Sequence, residues 1–180
     1  HYPEFTVPAE VSKHLDKYKT LGDKIQKKWE ALFDKYKEKY GEDICAILPS
    51  LVGEVGDYQT ARIKFWKMVT DLFSANFMKQ IFDWCNDHNL KFTGHLVLEE
   101  TLMAQLITNG ACMPHYEYMD IPGMDWLCRP IFPCLTMAQL CSTAAQTGKK
   151  QILSETFALC GHNVGHEELK RNYEGMMVRG

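Results

Sequence analysis

What this chain lacks narrows it first. No apolar run approaches the ~20 residues that cross a bilayer, and the N-terminus has no signal-peptide layout, so no membrane partner is expected. No charge of one sign dominates. The 20 Lys and Arg stand against 23 Asp and Glu, for a formal net charge of −3, which removes the global electrostatic case for nucleic acid as a partner. There is no G-x-G-x-x-G or Walker-type run to cradle a phosphate, and no G-x-S-x-G elbow to raise a nucleophilic serine. Internal repeats and low-complexity segments are also missing. The seven cysteines are odd in number and lack the tight spacing of a disulfide framework, which implies free thiols in a reducing, cytoplasmic compartment. Cys85 with His88, and Cys160 with His162, have no second pair at zinc-site spacing. Spacing therefore predicts no metal site.

Helical periodicity fills the first half. Pro8 with Ser12 marks a helix entry. Leu15, Tyr18, Leu21, Ile25, Trp29, Leu32, Phe33 and Tyr36 follow at three- and four-residue steps, the period of an amphipathic helix. Lysines and acids alternate between them, so the polar face reads as solvated and ion-paired rather than as a nucleic-acid stripe. Gly22 is a candidate bend and Gly41 the end. Ile44–Val52, with Pro49, reads as a short helix and turn. A second long helix is expected from Gln59 to His88, with Ile63, Trp66, Val69, Phe73, Phe77, Ile81 and Trp84 as its buried stripe and Asn89 as a left-handed cap.

The pattern then changes to strand–loop–helix. Lys91–Leu98, Met113–Met119 and Gln151–Thr156 are the expected strands. Helices are expected over Glu99–Thr108, Thr136–Gln146 and Glu167–Met177. Ile121–Arg129 reads as a Pro/Gly-containing loop, prolonged by Pro130 and Pro133. This is the order of successive βα units in a parallel sheet. The fold class is α/β, a partial (β/α)8 TIM-type barrel with about three parallel βα units preceded by long helices. Residues 1–90 form a helical segment leading into the barrel and 91–180 the βα units, in one structural domain. A whole barrel takes about 250 residues, and the chain starts at His1 and stops just after a helical pattern. It therefore reads as a fragment of the catalytic barrel of a longer protein.

Parallel sheets gather chemistry at the C-terminal ends of their strands. Glu99 and Glu155 each follow a strand there, and paired carboxyl groups are what glycoside hydrolysis requires. Glu100 competes with Glu99, and either acid also suits the cap of the next helix. His95, beside Gly94, suits a sugar hydroxyl, or equally a satisfied core histidine. Strand alternation would place His115 with Glu117 on one face. Asp125 and Trp126 suit a sugar subsite, a carboxylate for hydroxyls and an indole for a pyranose face, or equally a loop with a Trp anchor. Cys112 with His115 has no nucleophile signature.

The run KFTGHLVLEETLMAQLITNGACMPHYEYMDIPGMDWL, with KKQILSETFALCG further on, resembles the large bacterial multidomain glycosyl hydrolases described as α-L-rhamnosidase-like or family-2-like. KYKEKYGEDICAILPSL and FWKMVTDLFSANFMKQIFDWCNDHNLKFTGH resemble the helical stretch before a middle barrel strand there. The resemblance covers most of residues 28–174. It implies a (β/α)8 catalytic barrel, glycosidic hydrolysis of a carbohydrate substrate, and His95, Glu99, His115, Glu117, Asp125 and Glu155 as the motif residues. In the rhamnosidases it would add a calcium ion near the sugar. The sequence departs from the pattern at His162, where a Trp is expected, and at Cys128, where a Gly is expected. The isolated chain is expected to be nearly inactive, with open strand edges that pair with the remaining barrel or with another copy. The rival expectations are a non-catalytic α/β fragment serving carbohydrate binding or assembly, and an unrelated α/β enzyme using the His and Cys residues.

Overall fold

A computed structural model describes residues 9–129 and 135–179; Pro8, Pro130, Pro133 and Cys134 lie outside these, as do the side chains of Ser12, Leu15 and Trp29. The chain divides into two compact units, His1–Phe65 and Trp66–Gly180. In the first, α1 (Ala9–Tyr40) runs unbroken through Gly22. Tyr36 is fully buried on it, while Tyr18, Leu21 and Ile25 are exposed. α2 (Ile44–Val52) carries Pro49 inside it and is capped by the Asp43 side chain, which accepts from the Cys45 amide. α3 (Tyr58–Phe73) continues into a π-helical turn at Ser74–Met78 and then α4 (Lys79–Asp87). No described helix is long and apolar enough to cross a membrane.

The π turn corrects the expected stripe of the second long helix. An extra residue in a turn resets the helical phase, so a single period run through the whole segment misassigns its faces. Ser74 and Met78 are buried, whereas Phe77 and Trp84 are more than half exposed; Ile63, ahead of the turn, is exposed as well, and the phase shift does not account for it. Asn89 does take the left-handed conformation, with φ 56°.

The second unit is built on a three-stranded parallel sheet in the order β1 (Thr93–Gly94), β2 (Ile121–Trp126), β3 (Leu153–Thr156). Between the strands lie α5 (Leu102–Asn109), α6 (Met113–Tyr116) and α7 (Leu135–Gln146), and α8 (His166–Met177) follows β3. The parallel pairing agrees with expectation; the identity of the middle strand does not. Met113–Met119 is a helical turn and its exit, and the strand lies one step later, in the segment expected as a loop. Pro114 in the first turn starts α6, where the missing amide costs nothing. His115 and its neighbour Tyr116 are both fully buried, so the two do not divide between a core face and an open face as expected. The true β2 is buried almost along its length, with Asp125 only partly covered, as the middle strand of the sheet.

Gly123 explains why Pro-Gly sits in that strand. A Cβ there would lie 2.5 Å from the Gly94 carbonyl oxygen of β1, so only glycine permits the close β1–β2 approach. One face of the sheet carries Met124, Ser154 and Thr156, with the Met176 sulfur of α8 3.6 Å from the Ser154 hydroxyl. The core joins Met78, Leu96, Cys112, Tyr116, Met119, Met124, Trp126, Met137 and Leu140. The methionine share of that list suits an irregular space between short strands and short helices.

His115 is a satisfied core histidine. Its Nε2 lies 2.9 Å from the Asn109 carbonyl oxygen, which can only accept, so Nε2 carries the proton. Nδ1 then accepts from the Ser74 hydroxyl at 2.8 Å, and the ring packs edge-on to Phe73. Burial holds the imidazole below its ordinary pKa. The unfolded chain therefore takes up the proton first. Stability is complete above the unfolded value of about 6.5 and falls as pH drops below it toward the folded value. A chemical-denaturation midpoint that declines between about pH 7 and pH 5, and declines less in His115→Phe relative to that variant's own neutral value, is the expected result. A midpoint flat across that range would show that His115 titrates freely.

Candidate functional site

The C-terminal ends of the three strands bring together His95, Asp125 and Glu155. Asp125 and Glu155 are register partners on β2 and β3, each one residue before its strand ends, so both carboxyl groups leave the same face. His95 is the first residue beyond β1. Its Nε2 lies 2.9 Å from Glu155 Oε2, and its Nδ1 4.0 Å from Asp125 Oδ2. One ligand-capable atom from each of the three lies within 4.8 Å of the others. All three remain open to solvent, with side chains 31%, 27% and 52% exposed for His95, Asp125 and Glu155.

Glu99 stands directly behind this trio. Its side chain is 1% exposed. Oε1 accepts from the Leu96 amide at 2.6 Å and from the Tyr116 hydroxyl at 3.1 Å, and Oε2 from the Asp125 amide at 3.2 Å. One carboxyl group thus joins the β1 exit, α6 and β2. Gln105 Nε2 donates to the Glu99 carbonyl at 2.6 Å, and Thr101 rather than either glutamate caps α5. Glu100 is exposed.

Electrostatics follow this layout. Burial pushes the Glu99 carboxyl up, against the two amides, Tyr116 and His95, which pull it down. Burial likewise raises Asp125; His95 opposes this, and the Glu155 and Glu100 carboxylates add to it. For His95, burial favours the neutral ring but is outweighed by the Leu96 carbonyl, Asp125, Glu155 and Glu99, so its value rises. Tyr116 is pushed up by burial and by Glu99 beside it.

The loops leaving the strands are held in uncommon backbone states. Leu98 after β1 (φ 56°), Cys128 after β2 (φ 67°), and Phe157 and Leu159 after β3 (φ 73° and 60°) all have positive φ. Such residues concentrate at binding and catalytic rims. Cys128 occupies a conformation that favours glycine, the residue the resemblance led us to expect there. Its amide donates to the Ala158 carbonyl at 2.9 Å. Arg129 then locks the two exit loops together through the Cys160 carbonyl (2.7 Å) and Asn163 Oδ1, and reaches Glu168 Oε2 in the first turn of α8. Sequence reasoning missed this arginine, which matches no motif and lies in a loop.

Other expected residues stay out of the cluster. His115 is in the core, and Glu117 is exposed, its carbonyl accepting from Lys149. The Trp126 indole is 3% exposed and belongs to the apolar cluster, so it turns no face to a solute. Cys112 and His115 do not pair; burial pushes the Cys112 thiol up to about 12, which leaves it inert. The chain matches no family model, no curated protein and no solved structure.

Glu99 satisfies three donors in a dry place, and each becomes unsatisfied when the carboxyl is deleted. At roughly 1–3 kcal/mol for each buried donor left unpaired, Glu99→Ala is expected to lower the unfolding free energy by about 3 kcal/mol or more. Glu99→Gln, which keeps an acceptor oxygen, is expected to lose less. Urea denaturation of the three proteins checks this. An alanine variant within about 0.5 kcal/mol of the parent, the range of ordinary surface changes, would show that the clamp is not structural.

Proposed function

We propose that this rim is part of a glycoside hydrolase centre, and that the sheet is a segment of a (β/α)8 barrel completed by further strands. The observation that carries the reading is the in-register Asp125–Glu155 pair at the C-terminal strand ends, with His95 against Glu155. Helix α8 packs against the Met124–Ser154–Thr156 face, and the opposite face, bearing Asp125 and Glu155, stays half open. In a barrel that face points inward, toward the mouth where barrel enzymes act.

The geometry supports the following roles. Two carboxyl groups that flank a scissile bond stand about 5–5.5 Å apart in one mechanism and about 6.5–9.5 Å apart in the other. Asp125 and Glu155, register partners on adjacent strands, bring carboxyl oxygens within 4.8 Å of one another beside His95. They form one side of the site. Glu155, the most exposed of the trio, is the carboxyl group that exchanges a proton with the glycosidic oxygen or its attacking water. His95 orients it, and Asp125 accepts hydrogen bonds from sugar hydroxyls. Glu99, the other half of the expected pair, acts behind them as the clamp on the β2 backbone. The opposing carboxyl comes from a strand outside this sheet. The substrate is a carbohydrate, and the six described cysteines, all free thiols, suit a reducing, cytoplasmic compartment.

The calcium ion that the resemblance would add does not fit these residues. Calcium takes about 6–8 oxygen ligands, and the rim offers one imidazole and two carboxyl groups.

The test is hydrolysis of a panel of aryl α- and β-glycosides, including the α-L-rhamnoside, by a chain carrying the complete barrel. Turnover is expected, with Glu155→Gln lowering kcat by about 10²–10⁴-fold, the usual worth of a general acid or base, and Asp125→Asn mainly raising KM. Full activity in Glu155→Gln, or no turnover across the panel, would contradict the proposal.

A further inference from the structure

The same three side chains form a donor set that proton transfer alone does not require. His95 Nδ1 lies 3.2 Å from the Leu96 carbonyl oxygen, an atom that only accepts, so Nδ1 carries a proton. Nε2 of the neutral ring then presents its lone pair to Glu155 Oε2 at 2.9 Å. A lone pair facing a carboxylate is repulsive unless a cation, either a proton or a metal ion, lies between them. Asp125 Oδ1 is buried without a hydrogen-bond partner. An imidazole that donates its far N–H to a backbone carbonyl is also the usual arrangement of a metal-ligating histidine.

We infer that His95 Nε2, Asp125 and Glu155 bind a divalent transition cation of the zinc class, and that this cation inhibits hydrolysis by removing Glu155 from proton transfer. The inhibition rests on the glycosidase reading; the binding does not. An imidazole nitrogen with two carboxylates suits Zn²⁺ or Co²⁺ and is poor for Ca²⁺. Bonds of roughly 2.0–2.2 Å place the ligand atoms of a tetrahedral ion about 3.4 Å apart. His95 Nε2 and Glu155 are already inside that separation, and Asp125, whose Oδ2 lies 4.0 Å from the other ring nitrogen, reaches the ion by rotation of its side chain. The half-exposed rim leaves the fourth position to water and gives the ion a way in. The three ligands come from three different strand ends, so ion binding also ties the exits of β1, β2 and β3 together.

The experiment is a Co²⁺ titration of the 180-residue chain followed by visible absorption, with Zn²⁺ and Ca²⁺ as competitors. The expected result is one saturable site with d–d bands and no sulfur-to-metal charge-transfer band, which separates the trio from the cysteines. Zn²⁺ displaces the Co²⁺ and Ca²⁺ does not. His95→Ala and Asp125→Asn each weaken Co²⁺ binding by at least about tenfold, the lower end of what even an outer partner of a ligand is worth, with unchanged circular dichroism. His95→Gln serves as the second variant should either of these lose its fold. A charge-transfer band, no saturable binding, or the same affinity in the folded variants would overturn the inference. The optical signal needs no substrate. A failed glycoside panel therefore leaves the cation site standing, and a missing cation site leaves the glycosidase proposal standing.

Discussion

The structure of this rim depends on one buried carboxyl group. Glu99 takes the Leu96 amide, the Tyr116 hydroxyl and the Asp125 amide at once, three donors that would otherwise be orphaned in a dry interior. Burying a charge costs several kcal/mol unless hydrogen bonds compensate, and here they come from three separate elements. The consequence is positional. The β1 exit and β2 are pinned to a common point, and His95 and Asp125 project from just beyond it toward Glu155. Glu99, one of the two carboxylates that sequence reading paired, lies buried behind the rim and fixes the backbone from which His95 and Asp125 project.

Two further constraints keep the rim in place. Gly123 lets β2 lie against Gly94 more closely than any side chain would permit, which brings the short β1 into the sheet. Arg129 joins the loop after β2 to the loop after β3 through Cys160 and Asn163, and to the first turn of α8 through Glu168. These cross-links sit beside four left-handed non-glycine residues, each a local cost of order 1–2 kcal/mol. Backbone held in that state persists only where surrounding contacts over-determine it, and the contacts here are the ones that aim the trio.

Much of this was legible in the sequence, for identifiable reasons. Helices of many turns announced themselves by period, and α7, α8 and β3 fell where period and flanking loops placed them. The parallel order followed from strand–loop–helix succession. The middle strand was misplaced because alternation is a signal of half-buried strands. Ile121–Trp126 is buried at four of its six residues without alternation and begins Ile-Pro-Gly, so it looked like a loop, while His115-Tyr116-Glu117-Tyr118 alternates by accident across a helical turn and its exit. Asp125 was consequently noticed as a loop residue and not as the register partner of Glu155. The π turn at Ser74–Met78 has no compositional mark, and its phase shift reversed the faces of Phe77 and Met78. The cation set escaped because its ligands are 30 residues apart in sequence, with none of the short spacings by which metal sites are read.

The central claim is that Asp125 and Glu155 face each other across adjacent parallel strands. Replacing both by cysteine (Asp125→Cys with Glu155→Cys) and oxidising mildly tests it directly, because a disulfide forms only when the two Cα atoms lie roughly 4.4–6.8 Å apart. Peptide mapping by mass spectrometry reads the linkage against the native thiols. The account predicts a linkage between positions 125 and 155 in the folded chain and its absence after denaturation. Linkage of either position to a native cysteine instead, or no linkage at all, would contradict it.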